Sequence, residues 1–330
     1  MKISLDWLSE YVNTGRSVEE ISQILSDLGF PTEGIEYPDG DTVIDLEITS
    51  NRGDCLSHIG IARELAAATG SELKLPVINL KESQKEISEF AKVEIADSEL
   101  CGRYTAMVIC GVKVGPSPEW MQKRLEAVGI RSVNNVVDAT NYAMMETGQP
   151  PHAFDYEKLI GSKIIVRNGI NGEQLVSIDG TKCELDKDML IISDEKKPVA
   201  IAGVMGGLDT EISETTTTIL LEDAHFDPVS VRTTGRKLGI KSEALFRFER
   251  HVDIERIDWA SQRTAQLITE AAGGTVVRGA ADEYPRKHEA KTVKMRLSRL
   301  NKLLGIEVSQ DEVMGIFSGL GFAQIGRAHV

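Results

Sequence analysis

Apolar residues near the start of the chain recur at helical spacing and then switch to alternation. In residues 17–29, Val18, Ile21, Ile24, Leu25 and Leu28 share one helical face, a stripe that needs a partner to cover it. Ser17 and Glu20 supply an S-x-x-E start and Gly29 a stop. Residues 43–48 alternate as a half-buried strand does, Asn51-Arg52-Gly53-Asp54 reads as a turn, and residues 56–69 make a second amphipathic helix closed by Gly70.

Charged residues with few aromatics over 79–89 read as a linker, after which a new domain begins. Residues 104–114 are β-rich; Ser117-Pro118-Glu119 opens a helix with proline at its first position, and Gly129 closes it. Between 163 and 192 the dipeptides Asn168-Gly169, Asn171-Gly172 and Asp179-Gly180 separate short apolar runs, which predicts antiparallel hairpins in a meander. A long helix over 253–272 ends at Gly273-Gly274, and the polar stretch 280–289 marks a second boundary. Residues 291–297 alternate as a strand, and Ser309 with Glu312 repeats the S-x-x-E start before a helix ending at Gly319. The pattern predicts an α+β chain of several domains.

Composition narrows the function classes. With 330 residues, 41% hydrophobic and 27% charged, the chain can build two or three packed domains. Asp6 and Glu10 interrupt the opening segment where a signal peptide would be apolar, and no run approaches the roughly 18 to 20 apolar residues of a membrane span. A cytoplasmic protein without membrane association is expected. Cys55, Cys101, Cys110 and Cys183 form no C-x-x-C pair, so neither a disulfide framework nor a metal site is expected. The net charge of −14 argues against a general polyanion-binding surface. Nucleic-acid contact would have to be local. One candidate is 232–250, where Arg232, Arg236, Lys237, Lys241, Arg247 and Arg250 face only Glu243 and Glu249, although a solvated helix face is the commoner meaning of such a stretch.

Three places could carry chemistry. His152 follows two prolines in Gln149-Pro150-Pro151-His152-Ala153-Phe154-Asp155, whose fixed φ angles could present the imidazole rigidly; a hydrogen-bonded structural histidine is the commoner outcome. Ala202-Gly203-Val204-Met205-Gly206-Gly207 follows an apolar strand and is either a tight turn or a place where backbone approaches a ligand. It is neither a P-loop nor a dinucleotide fingerprint. Glu222 ends an apolar strand and needs a partner, an arginine or a ligand hydroxyl, and the residues alone leave both open.

Taken together these stretches resemble the β subunit of bacterial phenylalanine–tRNA ligase (phenylalanyl-tRNA synthetase). The resemblance runs through MKISLDWLSEYV, Leu46-Glu47-Ile48-Thr49-Ser50-Asn51-Arg52-Gly53-Asp54-Cys55-Leu56-Ser57, Val136-Val137-Asp138-Ala139-Thr140-Asn141-Tyr142, the His152 and Gly206 segments and Arg247-Phe248-Glu249-Arg250. It implies a small helical N-terminal B1-like domain over 1–86, a central β-rich B3/B4 editing domain over 87–283, a partial B5-like domain over 289–324, and at 325–330 a non-native tail without functional meaning. It also implies an ATP- and Mg²⁺-dependent ligase that charges tRNA specific for phenylalanine. In that family two α and two β subunits assemble, the α subunit activates phenylalanine, and the β subunit hydrolyses mischarged tyrosyl-tRNA. No ATP or Mg²⁺ ligand is assignable in these residues. A pocket shaped for phenylalanine rejects an added hydroxyl by only about a hundredfold, so hydrolysis after transfer is physically expected.

By match with the family's motifs, the editing-pocket positions fall on Arg131, Asn141, His152, Gly206, Glu222, Ser242 and Ala244, with Arg232, Arg236, Lys237 and Lys241 expected to meet tRNA phosphates. His152 and Glu222 become the expected readers of the tyrosine hydroxyl. No general base is assigned. Two departures matter: the chain passes from Glu36 to Val43 where the family carries an inserted oligonucleotide-binding barrel of about a hundred residues, and Ser242 stands where many members have threonine. Two other readings are a tRNA-binding or assembly module with an inactive pocket, and a free-standing deacylase.

Overall fold

The computed structural model describes residues 1–325; the expected tail lies, apart from Ile325, outside the described residues. In the first region β1 (Lys2–Ser4) runs into α1 (Leu5–Leu8), whose first turn is capped by the Ser4 hydroxyl accepting from the Trp7 amide. α2 (Val18–Asp27) starts with the expected reciprocal box: the Glu20 amide donates to Ser17 Oγ and the Ser17 amide to Glu20 Oε2. β2 (Thr32–Glu36) and β3 (Val43–Leu46) pair antiparallel, and β1 adds to β3, giving the order β1-β3-β2. Residues 37–42 join them through a 3₁₀ turn at Pro38–Gly40, so a short connection stands where the barrel is missing. α3 (His58–Thr69) is closed by Gly70, whose φ of 71° suits a residue without a Cβ.

The stretch expected to be a linker contains a strand. β4 (Glu82–Glu86) pairs in parallel with a strand far along the chain and forms the edge of the larger sheet. β5 (Lys92–Ile95) and the long β6 (Cys101–Cys110) follow. α4 (Glu119–Ala127) and α5 (Asn135–Thr147) precede β7 (His152–Asp155), β8 (Lys163–Asn168), β9 (Glu173–Val176), β10 (Lys182–Leu185), β11 (Leu190–Ser193), β12 (Pro198–Ile201) and β13 (Met205–Gly206). β14 (Thr218–Phe226) leads to α6 (Pro228–Leu238), α7 (Glu243–Phe248) and α8 (Ile257–Ala272), then β15 (Thr275–Arg278) and β16 (Ala281–Glu283).

Two sheets result. One has the order β4-β15-β6-β14-β7, with β16 also paired to β6; the other runs β13-β12-β11-β8-β5. The expected meander is only partly right. Asp179-Gly180 does close the β9–β10 hairpin, but β8 pairs with β11 and, in parallel, with β5, so that hairpin is an excursion between β8 and β11. Parallel partners lie far apart in sequence, and turn dipeptides carry no trace of them. α5 and α8 cover one face of the larger sheet through Val136, Ala139, Ala265 and Ile268 against Ile109, Ile219 and Leu221. The other face packs on the smaller sheet through Val108, Phe154 and Leu220 against Val166, Ile191 and Ala200.

Residues 291–296 form no strand, and α9 (Leu297–Leu304) begins directly after them. Alternation without a neighbouring strand leaves the backbone donors and acceptors to water. α10 (Gln310–Gly319) starts with Ser309 Oγ accepting from the Glu312 amide. It lies against α3, with Val313 buried and Gly319 facing Ala67, where an added Cβ would stand 3.2 Å from that of Ala67.

Candidate active site

Alternation along β14 sends Leu220, Ala224 and Phe226 to the core between the sheets and Ile219 and Leu221 toward the helices. Glu222 shares the first face and is only 5% exposed. The register places His152 of β7 opposite it on one side and Ala106 of β6 on the other. Tyr104, two residues from Ala106 on the same face, donates its hydroxyl to Glu222 Oε2 at 2.9 Å. Gly206 of β13 closes the gap from the smaller sheet, held by its pairing with Ala200 and by the Ile178 amide donating to its carbonyl. A Cβ built at Gly206 would lie 2.5 Å from His152 Cε1 and 2.8 Å from Ile178 Cδ1. Only glycine leaves room for the imidazole where it stands.

The polar atoms of this gap are incompletely partnered. Among the described residues, Glu222 Oε1 and both ring nitrogens of His152 make no hydrogen bond, and they retain solvent contact, unlike the sealed carboxyl oxygens of neighbouring Asp223. Burial pushes the Glu222 carboxyl up to about 8, with the Tyr104 hydrogen bond opposing that rise. Loss of solvent around the ring pulls His152 down to about 4, and Phe154 meets it edge-on at 4.5 Å. At neutral pH the gap therefore presents a largely neutral carboxyl and a neutral imidazole, a pair that can together give and take one hydrogen bond from a hydroxyl.

The remaining expected residues are placed differently. Ser242 caps α7, accepting from the Leu245 amide and donating to the Val204 carbonyl at 2.8 Å, so its hydroxyl fixes the wall beside Gly206 and its proton is committed there. Ala244 packs on the core between the sheets. Asn141 sits on α5 and exposed Arg131 precedes that helix, both in the layer on the opposite face, and neither hydrogen-bonds to His152, Gly206 or Glu222 among the described residues. Arg236, Lys237 and Lys241 are exposed at the end of α6 and beyond it, Arg232 is half-buried, and Lys237 pairs with Asp186. Arg247, counted above in the basic stretch, is instead fully buried, donating to the Leu56 carbonyl and to Glu243. Tyr104 carries no motif of its own. The available signal was a tyrosine inside an apolar strand, whose hydroxyl must find a partner when buried.

A metal centre does not fit here. Asp54, Cys55 and Glu64 approach one another, but Arg52 and Arg63 already neutralise both carboxylates, and burial raises the thiol's pKa. A cleft of about 390 Å³ between the Gly53 loop and the Arg250–Ala260 segment holds none of the expected site residues.

The two-sheet unit with its helical cover defines a recognisable class. Residues 100–273, more than half of the chain, match the family model described as the B3/4 domain, and the protein belongs to that family. More particularly, it is similar to phenylalanine–tRNA ligase β subunits along almost its whole length. It is 50% identical over 97% of its residues to that subunit from Rhodopirellula baltica, 47% of which is covered. It is 50% identical over 82% of its residues to the subunit from Moorella thermoacetica, of which 34% is covered. The chain thus spans less than half the length of these curated relatives. A solved N-terminal fragment of the phenylalanyl-tRNA synthetase β subunit from Pyrococcus horikoshii, 14% identical, covers 97% of this chain and 88% of its own at a TM-score of 0.47.

Proposed function

We propose that this chain carries the editing site of a phenylalanine–tRNA ligase β subunit, hydrolysing tyrosyl-tRNA made in error within a cytoplasmic assembly of two α and two β subunits. The observation that carries the reading is the pair of unpartnered groups, Glu222 Oε1 and the His152 imidazole, opposed across β14 and β7 beside a glycine. A tyrosine hydroxyl entering the gap satisfies both, donating to one and accepting from the other. A phenylalanine ring desolvates both without replacing a bond, at about 1 to 3 kcal/mol for each group. Exposed Arg236 and Lys241, with Arg232 beside them and Lys237 on exchange of its Asp186 partner, are available for phosphates of the tRNA end, and Arg131 and Asn141 are assigned supporting roles on the similarity alone. No side chain of the gap is a clear general base, so the ester is cleaved by water held in position.

ATP, Mg²⁺ and phenylalanine activation belong to the complete assembly, outside these residues, and the isolated chain is expected not to charge tRNA. No helix among the described residues is long and apolar enough to cross a membrane. The test is deacylation of tyrosyl- and phenylalanyl-tRNA by the complete enzyme. Glu222→Ala and His152→Ala should each narrow the preference for tyrosine by about ten- to a hundredfold, and Ala244→Trp, at a position assigned to the pocket on the similarity alone, should abolish cleavage. An unchanged preference in both variants would remove His152 and Glu222 as readers of the hydroxyl, and absence of cleavage by the parent enzyme would leave a tRNA-binding or assembly module with an inactive pocket.

A further inference from the structure

The Glu222 carboxyl has two oxygens with different fates. Oε2 receives the hydroxyl of Tyr104 at 2.9 Å, while Oε1 has no partner among the described residues. Tyr104 is fully buried on β6, the strand register sets it diagonally across from Glu222, and its phenol is already the kind of group the gap is proposed to read. We propose that Tyr104 is a positioning and specificity-determining residue: by occupying Oε2 it fixes the carboxyl and leaves Oε1 as the single atom that can meet a substrate hydroxyl. This rests on the editing role proposed for the site.

Without that bond the carboxyl could turn about its last torsion and present either oxygen, because no arginine or lysine pairs with it among the described residues. The groups facing it are Tyr104 and Cys101 from β6 and His152 from β7, with Asp223 next along its own strand. None is a cation at neutral pH, so the Tyr104 hydroxyl is what resists the upward push of burial on this carboxyl. Tyr104 thereby governs both where Glu222 points and at what pH it loses its proton.

The experiment measures the pH profile of the tyrosine-over-phenylalanine deacylation ratio in the complete enzyme. Tyr104→Phe should cut the ratio about five- to tenfold, through KM for tyrosyl-tRNA rather than kcat, and should move the Glu222-dependent midpoint upward by about one pH unit. Replacing Tyr104 with 3-fluorotyrosine, a stronger donor of the same shape, should move that midpoint downward; a purely structural role would give no such opposed pair, and this variant serves if Tyr104→Phe fails to fold. Glu222→Ala, which removes the polar group altogether where glutamine would mimic a neutral carboxyl, separates the two readings. If it leaves the ratio unchanged, the role of Glu222 as reader itself fails. If it collapses the ratio while both Tyr104 variants keep the parent ratio and midpoint, the assignment of Tyr104 alone is overturned.

Discussion

Two regions of this molecule bury the same pair of residue types to opposite ends. Where the first region meets the helical layer, Glu146 is fully buried and its oxygens accept from Tyr11 at 2.6 Å and from Arg263 at 2.8 and 2.9 Å. Beside it His58 accepts the Ser4 amide at Nε2, which leaves the proton on Nδ1 to be donated to the Met145 carbonyl, and its ring stacks on Trp7 at 4.0 Å. Between the two sheets, Glu222 has one partner and His152 none among the described residues. Burial pulls both histidines down, His58 to about 3 and His152 to about 4. Burial and perturbed titration therefore do not separate the two places. Completeness of hydrogen bonding does: the first cluster is closed and holds the fold together, and the second is open and can hold a ligand.

The largest expected effect breaks the closed cluster. Glu146→Ala leaves the half-buried Arg263 guanidinium without its anion and the buried Tyr11 hydroxyl without its acceptor, and chemical denaturation of the full chain should show a loss of about 3 to 5 kcal/mol. Glu222→Ala strands no cation but only the buried Tyr104 hydroxyl, so its cost should stay at about 1 to 3 kcal/mol while the deacylation preference changes. Equal losses in the two variants would mean that the open site is structural after all.

A smaller effect sharpens the comparison through pH. The folded-state pKa of Glu222 is raised above its ordinary value of 4.5 to about 8, so the native state holds a proton that the unfolded state releases. Its contribution is complete below about pH 4.5 and is lost as pH climbs toward 8. Asp223, sealed on the other face of β14, acts in the same direction. The histidines act oppositely: their pKa values are lowered from 6.5, so their contribution is present above that pH and is lost as pH falls toward 4 and 3. Between pH 6.5 and 8 only the carboxyls slope, each by at most about 1.4 kcal/mol per pH unit. Glu222→Gln should flatten the stability curve in that window, and parallel curves for variant and parent would contradict the raised carboxyl.

The closed and open clusters also differ in how far the chain announces them. Helix starts at Ser17 and Ser309 and the stop at Gly70 are local, and the structure has all three, because a cap depends on residues three or four apart. His152 and Glu222 are legible as unusual residues but not as neighbours, since strand register joins positions 70 apart and no local pattern encodes it. β4 escapes notice for a physical reason: Glu82, Lys85 and Glu86 lie on an exposed edge, where charge discourages further pairing, and an edge strand of that composition reads as a linker. Residues 291–297 fail in the opposite sense, with alternation present and no strand beside them. Arg247 shows that sign of charge says nothing of exposure.

The smallest effect concerns Ser242, which lies at the seam between the two kinds of region. Its position by family resemblance is in the pocket, yet both bonds of its hydroxyl are internal, one to the Leu245 amide and one to the Val204 carbonyl two residues before Gly206. Such a residue acts on substrate only through the wall it holds. Ser242→Ala should cost about 1 kcal/mol of stability, the ordinary loss of a helix cap, and should slow tyrosyl- and phenylalanyl-tRNA deacylation alike as the Gly206 segment loosens. Ser242→Thr retains both bonds and should restore stability and rates together. If Ser242→Ala instead changed the preference for tyrosine while leaving the melting temperature untouched, the hydroxyl would have to leave its cap and meet substrate, and the boundary between closed and open polar groups would run through this residue rather than beside it.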